Sequence, residues 1–89
     1  MIKKSIQVKN KMGVHARPAA MVAQLASKFA SDIMVAKGGI EVNAKSIMGI
    51  MMLAAECGSM LMFTIEGKDE AEAFSAMEEL FNSQFSEGY

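Results

Sequence analysis

Apolar and polar residues alternate from Ile2 to Lys9, with Ile2, Ile6 and Val8 on one side and Lys3, Ser5, Gln7 and Lys9 on the other. A period of two marks a half-buried strand. Asn10-Lys11-Met12-Gly13 breaks it, and Gly13 is free to take backbone angles closed to other residues. From Ala16 the period lengthens to that of a helix, with Ala19, Val22, Ala23, Ala26 and Phe29 on one stripe and Gln24, Ser27 and Lys28 off it. Pro18 suits the first turn, where its missing N–H leaves no bond unmade. Asp32 to Lys37 alternates again, Gly38-Gly39 signals a tight turn, and Ile40 to Asn43 completes a hairpin.

Ser46 is placed to cap a short helix that runs to about Leu53. Gly58 closes that region. Met60 to Glu66 reads as a fourth strand with Leu61, Phe63 and Ile65 on one face. Gly67 turns the chain, and Asp69 with Glu72 forms an acidic relative of the capping box. The last helix carries Ala73, Phe74, Met77, Leu80, Phe81 and Phe85 at three- and four-residue spacing, and the polar tail from Ser86 to Tyr89 is expected to fray. The order βαββαβα, with short connections and no repeats, predicts an α+β fold. It is one domain over residues 1–89, an antiparallel four-stranded sheet with three helices on one face.

Charge and composition then remove whole classes of function. A net charge of −1, no Trp and one Tyr leave neither a basic field nor stacking groups for nucleic acid. The longest apolar stretch, Ile47 to Ala55, is about half the ~20 residues of a membrane span. Met1-Ile2-Lys3-Lys4 is followed by an alternating segment and not by a signal-peptide core, so a cytoplasmic location is expected. The single Cys57 has no bridge partner and, beside an apolar run, is expected in or near the core. One His and one Cys without paired-ligand spacing imply no metal site, and no cofactor is implied.

Ten methionines change the picture of the surface. The run Ile47–Leu53 cannot face inward throughout on a short helix. Ile50 and Leu53 are expected on the sheet, leaving Ile47, Met48, Met51 and Met52 available to a partner protein.

Gly13-Val14-His15-Ala16-Arg17-Pro18 carries the candidate chemistry. It sets the chain's one histidine just before a helix start, where the first N–H groups lack intrahelical partners and carry partial positive charge. Neutral imidazole is nucleophilic near pH 7. A phosphoryl group on His15 would meet the N–H groups of Ala16 and Arg17, and the Arg17 guanidinium offers charge-assisted bonds to the same oxygens. Spacing alone leaves a second reading open, in which His15 merely caps the helix and Arg17 is a solvated cation. No acid or base partner for His15 is evident, which argues against a free-standing enzyme.

The run Met12-Gly13-Val14-His15-Ala16-Arg17-Pro18-Ala19-Ala20 resembles the active-site motif of the HPr family, the histidine-containing phosphocarriers of the bacterial phosphoenolpyruvate-dependent sugar phosphotransferase system. Ala44-Lys45-Ser46-Ile47-Met48-Gly49-Ile50-Met51 resembles that family's regulatory serine motif. Length and element order match as well. The resemblance implies the HPr open-faced β-sandwich. It implies phosphorylation of His15 at Nδ1 by enzyme I, donation to the IIA domains of sugar permeases, and stabilisation of the transferring group by Arg17. It further implies Ser46 as a phosphoserine written by HPr kinase/phosphorylase, with recruitment of a transcription regulator; a phosphate there would gain from the helix start and from the neighbouring Lys45. Ala20, Lys45, Ile47, Met48, Met51 and Met52 would form the partner face. The chain departs from the pattern at Met12, where Ser or Thr is common, at Met52, where a small or polar residue is common, and at Ala54, for a common Gly, and the stretch Ala54-Ala55-Glu56-Cys57-Gly58 is unusual as well. The segment Leu80–Phe85 is similar to the nitrogen-regulatory branch, so that branch, or a Ser46-controlled binding module with little sugar flux, is the alternative function.

Overall fold

The computed structural model describes residues 1–86 of the 89. Strand β1 spans Ile2–Gln7, helix α1 Ala16–Ala26, β2 Asp32–Lys37, β3 Ile40–Asn43, α2 Ile47–Met52, β4 Met60–Glu66 and α3 Glu70–Asn82. All pairings are antiparallel and the sheet runs β1-β4-β2-β3, with Ile6 opposite Leu61 and Ile33 opposite Ile65. Period-two side chains put Ile6, Val8, Ile33, Val35, Leu61, Phe63 and Ile65 on one face, where all are buried. The three helices cover that face, supplying Val22, Ala26, Ile50, Met77 and Phe81 to the same core. The strands and helices thus fall where the hydropathy pattern puts them. Strand β1 is two residues shorter than the alternation suggests, although Val8 still exchanges backbone bonds with Gly58 and Ser59.

Four expectations change. Helix α1 stops at Ala26, so Phe29 packs from the turn beyond it and not from the helical stripe. Helix α3 ends at Asn82, and Phe85 reaches the core from a turn in which Gln84 and Phe85 both take positive φ (52° and 58°). The Phe85 ring is buried edge-to-face on Phe81, 5.0 Å between centroids, and Phe81 stands 5.7 Å from Phe63. Burial of an aromatic ring thus overrides helical continuation. Of the expected polar tail, residues 87–89 lie outside the described residues.

The third concerns Asp69, which does not cap α3 through its side chain. Its carboxylate reaches across to the α1–β2 connection, accepting from the backbone N–H of Ala30 and of Ser31 (2.9 Å each) and from the Ser31 hydroxyl. Those bonds hold its pKa below the usual carboxylate value, the Ser31 hydroxyl contributing most and the Ala30 amide next. Glu70, not Glu72, makes the reach-back, taking the Gly67 N–H at 3.1 Å. The fourth is Cys57, which is exposed. The bonds Gly58 N–H to Val8 O (2.7 Å) and Ser59 N–H to Glu56 O (3.0 Å) fold residues 56–59 into a tight turn that leaves its side chain on the outside.

Candidate functional site

The segment ahead of α1 is built by backbone constraints. Buried Asn10 donates its side-chain N–H to Gly13 O, and Gly13 N–H donates back to Asn10 O at 3.1 Å. This turn requires φ = +72° at Gly13. A Cβ there would stand 2.5 Å from Ala55 O. Val14 is buried and donates its N–H to that same oxygen at 2.8 Å. The chain is thereby stitched to the loop that follows α2, just before His15. Asn10 was legible only as a strand breaker. Its Asn-x-x-Gly spacing is the signal that a β-turn fixes this loop.

His15 occupies the N-cap position of α1 in extended conformation (φ −90°, ψ −167°), and its carbonyl accepts the first helical bond, from Ala19 N–H at 2.9 Å. Its side chain makes no capping hydrogen bond. The reading in which imidazole serves as a helix cap is therefore set aside. The ring is half-buried and lines an open cleft of about 440 Å³ between the Lys11–His15 turn and the Ala54–Cys57 turn. Ala16 and Arg17 are exposed on the first turn, and Ala20 is half-buried one turn on. The first turn of α1 holds no acidic residue, whereas that of α3 already holds Glu70 and Glu72. No carboxylate of its own first turn therefore offsets the positive end of the α1 dipole.

Helix α2 packs beside α1 and the end of β3. Ser46 is its N-cap: the exposed side chain accepts from Gly49 N–H at 3.0 Å. Gly49 also lets the first turn of α2 lie close on β3, since a Cβ there would press to 3.2 Å from Val42 Cβ. Ile50 and Leu53 point into the core, while Ile47, Met48, Met51 and Met52 are exposed. Lys45 is half-buried and its Nζ donates to Phe29 O at 2.9 Å, so its ammonium is engaged with the turn after α1. A phosphate at Ser46 would have to compete for it. On the cleft wall, Ala54 takes φ = +48°, a left-handed angle that costs a non-glycine residue about 1–2 kcal/mol.

The structure thus brings the half-buried His15, the exposed Arg17 and the first turn of α1 together at the mouth of the cleft. A family model described as "PTS HPr component phosphorylation site" matches residues 2–83. The phosphocarrier protein HPr of Treponema pallidum is 54% identical over 87 residues, covering 98% of this chain and 99% of that protein. An HPr-like protein Crh from Halalkalibacterium halodurans is 49% identical over 77 residues, 86% of this chain and 92% of that one. The crystal structure of HPr-C-His from Thermoanaerobacter tengcongensis superposes with a TM-score of 0.94 at 49% identity, covering 100% of both chains. With the helix-start histidine and the sheet order already in place, sequence and fold converge: this chain belongs to the HPr phosphocarrier family.

Proposed function

We propose that the chain relays a phosphoryl group in the bacterial cytoplasm, taking it from phosphorylated enzyme I of the phosphotransferase system and giving it to IIA domains. The nitrogen lone pair of the His15 imidazole attacks phosphorus. The N–P bond to the donor breaks as the new one forms, and the electron pair returns to the donor nitrogen. The three phosphoryl oxygens meet the amides that open α1 and the Arg17 guanidinium, which spread the charge through transfer. The onward step repeats this in reverse with an acceptor histidine. The observation that carries the reading is the placement of His15 at the cleft, ahead of α1, with its side chain not used as a cap.

Incubation with phosphoenolpyruvate and enzyme I should add one acid-labile phosphate, and none to His15→Ala. Label retained by His15→Ala removes His15 from the role. The face formed by Ala20, Ile47, Met48, Met51 and Met52 is the docking surface for both donor and acceptor. Ser46, exposed at the edge of that face, is a phosphorylation site for a kinase/phosphorylase, placing about −1.5 to −2 charges beside it. Similarity to two HPr-like Crh proteins supports a regulatory output through Ser46. Comparing onward transfer to a sugar-type and a nitrogen-type IIA domain separates the two branches.

A further inference from the structure

Of the ten methionines, Met77 lies wholly inside and six lie on the surface: Met1, Met12, Met48, Met51, Met52 and Met60. Three of the six share α2, and Met12 lines the cleft with His15. Their accessibilities are 77% for Met48, 72% for Met12, 67% for Met52 and 45% for Met51, against 0% for Met77. We propose that Met12, Met48, Met51 and Met52 are a reversible oxidation site through which hydroperoxides weaken partner docking. The inference rests on the reading of this face as the docking surface.

The chemistry is a two-electron transfer. A thioether sulfur lone pair attacks one oxygen of hydrogen peroxide, the O–O bond breaks, and the departing hydroxide takes a proton and leaves as water. Sulfur becomes a sulfoxide, and a dithiol-dependent methionine sulfoxide reductase reverses it, yielding a thioether, a disulfide and water. The product is polar. Docking then requires stripping water from sulfoxide oxygens that a surface shaped for thioethers does not pair.

What makes this a switch and not damage is where the sulfurs stand. Residues 48, 51 and 52 fall within one face of α2 by their three- and four-residue spacing, while Ile50 and Leu53 anchor the helix from the other side. Oxidation of the outer face removes no core contact. Met77, the methionine wholly inside the core, is closed to solvent, and Met21, which packs against that core, is half-buried. Thioether softness that suits several partners thus comes with sensitivity to peroxide at the same atoms.

The test uses the full-length Cys57→Ser protein, to exclude thiol oxidation, treated with graded hydrogen peroxide. Peptide mapping should find sulfoxide at Met12, Met48 and Met52 first, together with Met1 outside the proposed face, then at Met60 and Met51, and none at Met77, with the circular dichroism spectrum unchanged. The KM of enzyme I for the oxidised protein should rise about five- to tenfold with kcat within twofold. Reductase and dithiol should restore it. Protein carrying Leu at all four positions, compared with its own untreated form, should change less than twofold. Mapped sulfoxides with an unchanged KM, or an equal loss in the leucine variant, overturn the inference alone. Untreated protein that accepts no phosphate overturns the carrier reading and this inference with it.

Discussion

Replacing Gly13 by alanine should separate two costs that usually arrive together, because Gly38 supplies the control. Both residues sit in the left-handed region, at φ +72° and +62°. Around Gly38 a Cβ would meet nothing within 4 Å, whereas at Gly13 it would stand 2.5 Å from Ala55 O and 3.1 Å from Glu56 Cα. The shared conformational cost for an L-residue is about 1–2 kcal/mol, offset in part by the lower unfolded-state entropy of alanine, for a net loss of roughly 1 kcal/mol at Gly38. Gly13→Ala incurs that loss and a second one. The 2.5 Å contact is far inside the ~3.5–4.0 Å optimum, and a Cβ, which no side-chain rotation can move, meets a backbone oxygen there. Ala55 O must retreat, and it is the acceptor of Val14 N–H. Stretching a buried bond of that kind adds about 1–3 kcal/mol. Gly13→Ala should therefore lose roughly 2–4 kcal/mol in urea unfolding at unchanged m, and for a domain of this size its Tm should fall by about 10–25 °C. Phosphoryl acceptance by the folded fraction should fall too, since His15 hangs from the displaced loop, whereas Gly38→Ala should transfer normally. Equal destabilisation of the two variants would refute the stitched-loop argument.

Two further outcomes follow from contacts away from His15. Ser46→Ala should cost about 1 kcal/mol by removing the acceptor for Gly49 N–H, and Ser46→Asp should recover most of it because aspartate caps equally well; chemical denaturation of the pair measures both. Asp69 and Glu70 titrate below their ordinary values, Asp69 through the Ser31 hydroxyl and then the Ala30 amide, Glu70 through the Gly67 amide and then the N-terminal ammonium. The unfolded chain thus binds protons at higher pH than the folded one. The stability these carboxylates confer is fully present above about pH 5 and is lost as pH falls through the lowered folded-state values. Asp69→Asn should flatten that acid limb in urea titrations at stepped pH, and an unchanged limb would disconnect Asp69 from it.

The elements were legible because their periods differ: Leu61, Phe63 and Ile65 repeat at two, Val22 and Ala26 at four. The lone histidine ahead of Pro18 was legible for the same reason, being a local signal at a helix start. What escaped reading joins distant segments. Asp69 looks like a cap until its partners, 38 and 39 positions earlier, are brought beside it. Phe85 satisfies the spacing of α3 and is buried, yet the chain leaves the helix at Ser83 and reaches the core by another route. The cleft itself needs residues 11–15 against 54–57, a pairing that no window of sequence displays.

That pairing also divides the site into a fixed and an adjustable half. The half that holds His15 is constrained by Asn10, Gly13 and Val14 through backbone bonds and a contact that admits no Cβ. The opposite wall carries Ala54, whose left-handed angle a glycine would take without strain, and it continues from the exposed thioethers of α2. Of the departures from the family pattern, the side chains of Met12 and Ala54 line the cleft and Met52 is exposed on α2, whereas Ala55 of the unusual Ala54–Gly58 stretch holds the His15 segment through its backbone oxygen alone. If the chain relays a phosphoryl group as proposed, transfer geometry depends on the fixed half, whereas the fit of a donor or acceptor depends on side chains presented around it. On the proposed relay reading, changes at the rim should therefore alter which partners dock, and how tightly, while the imidazole keeps its place at the cleft.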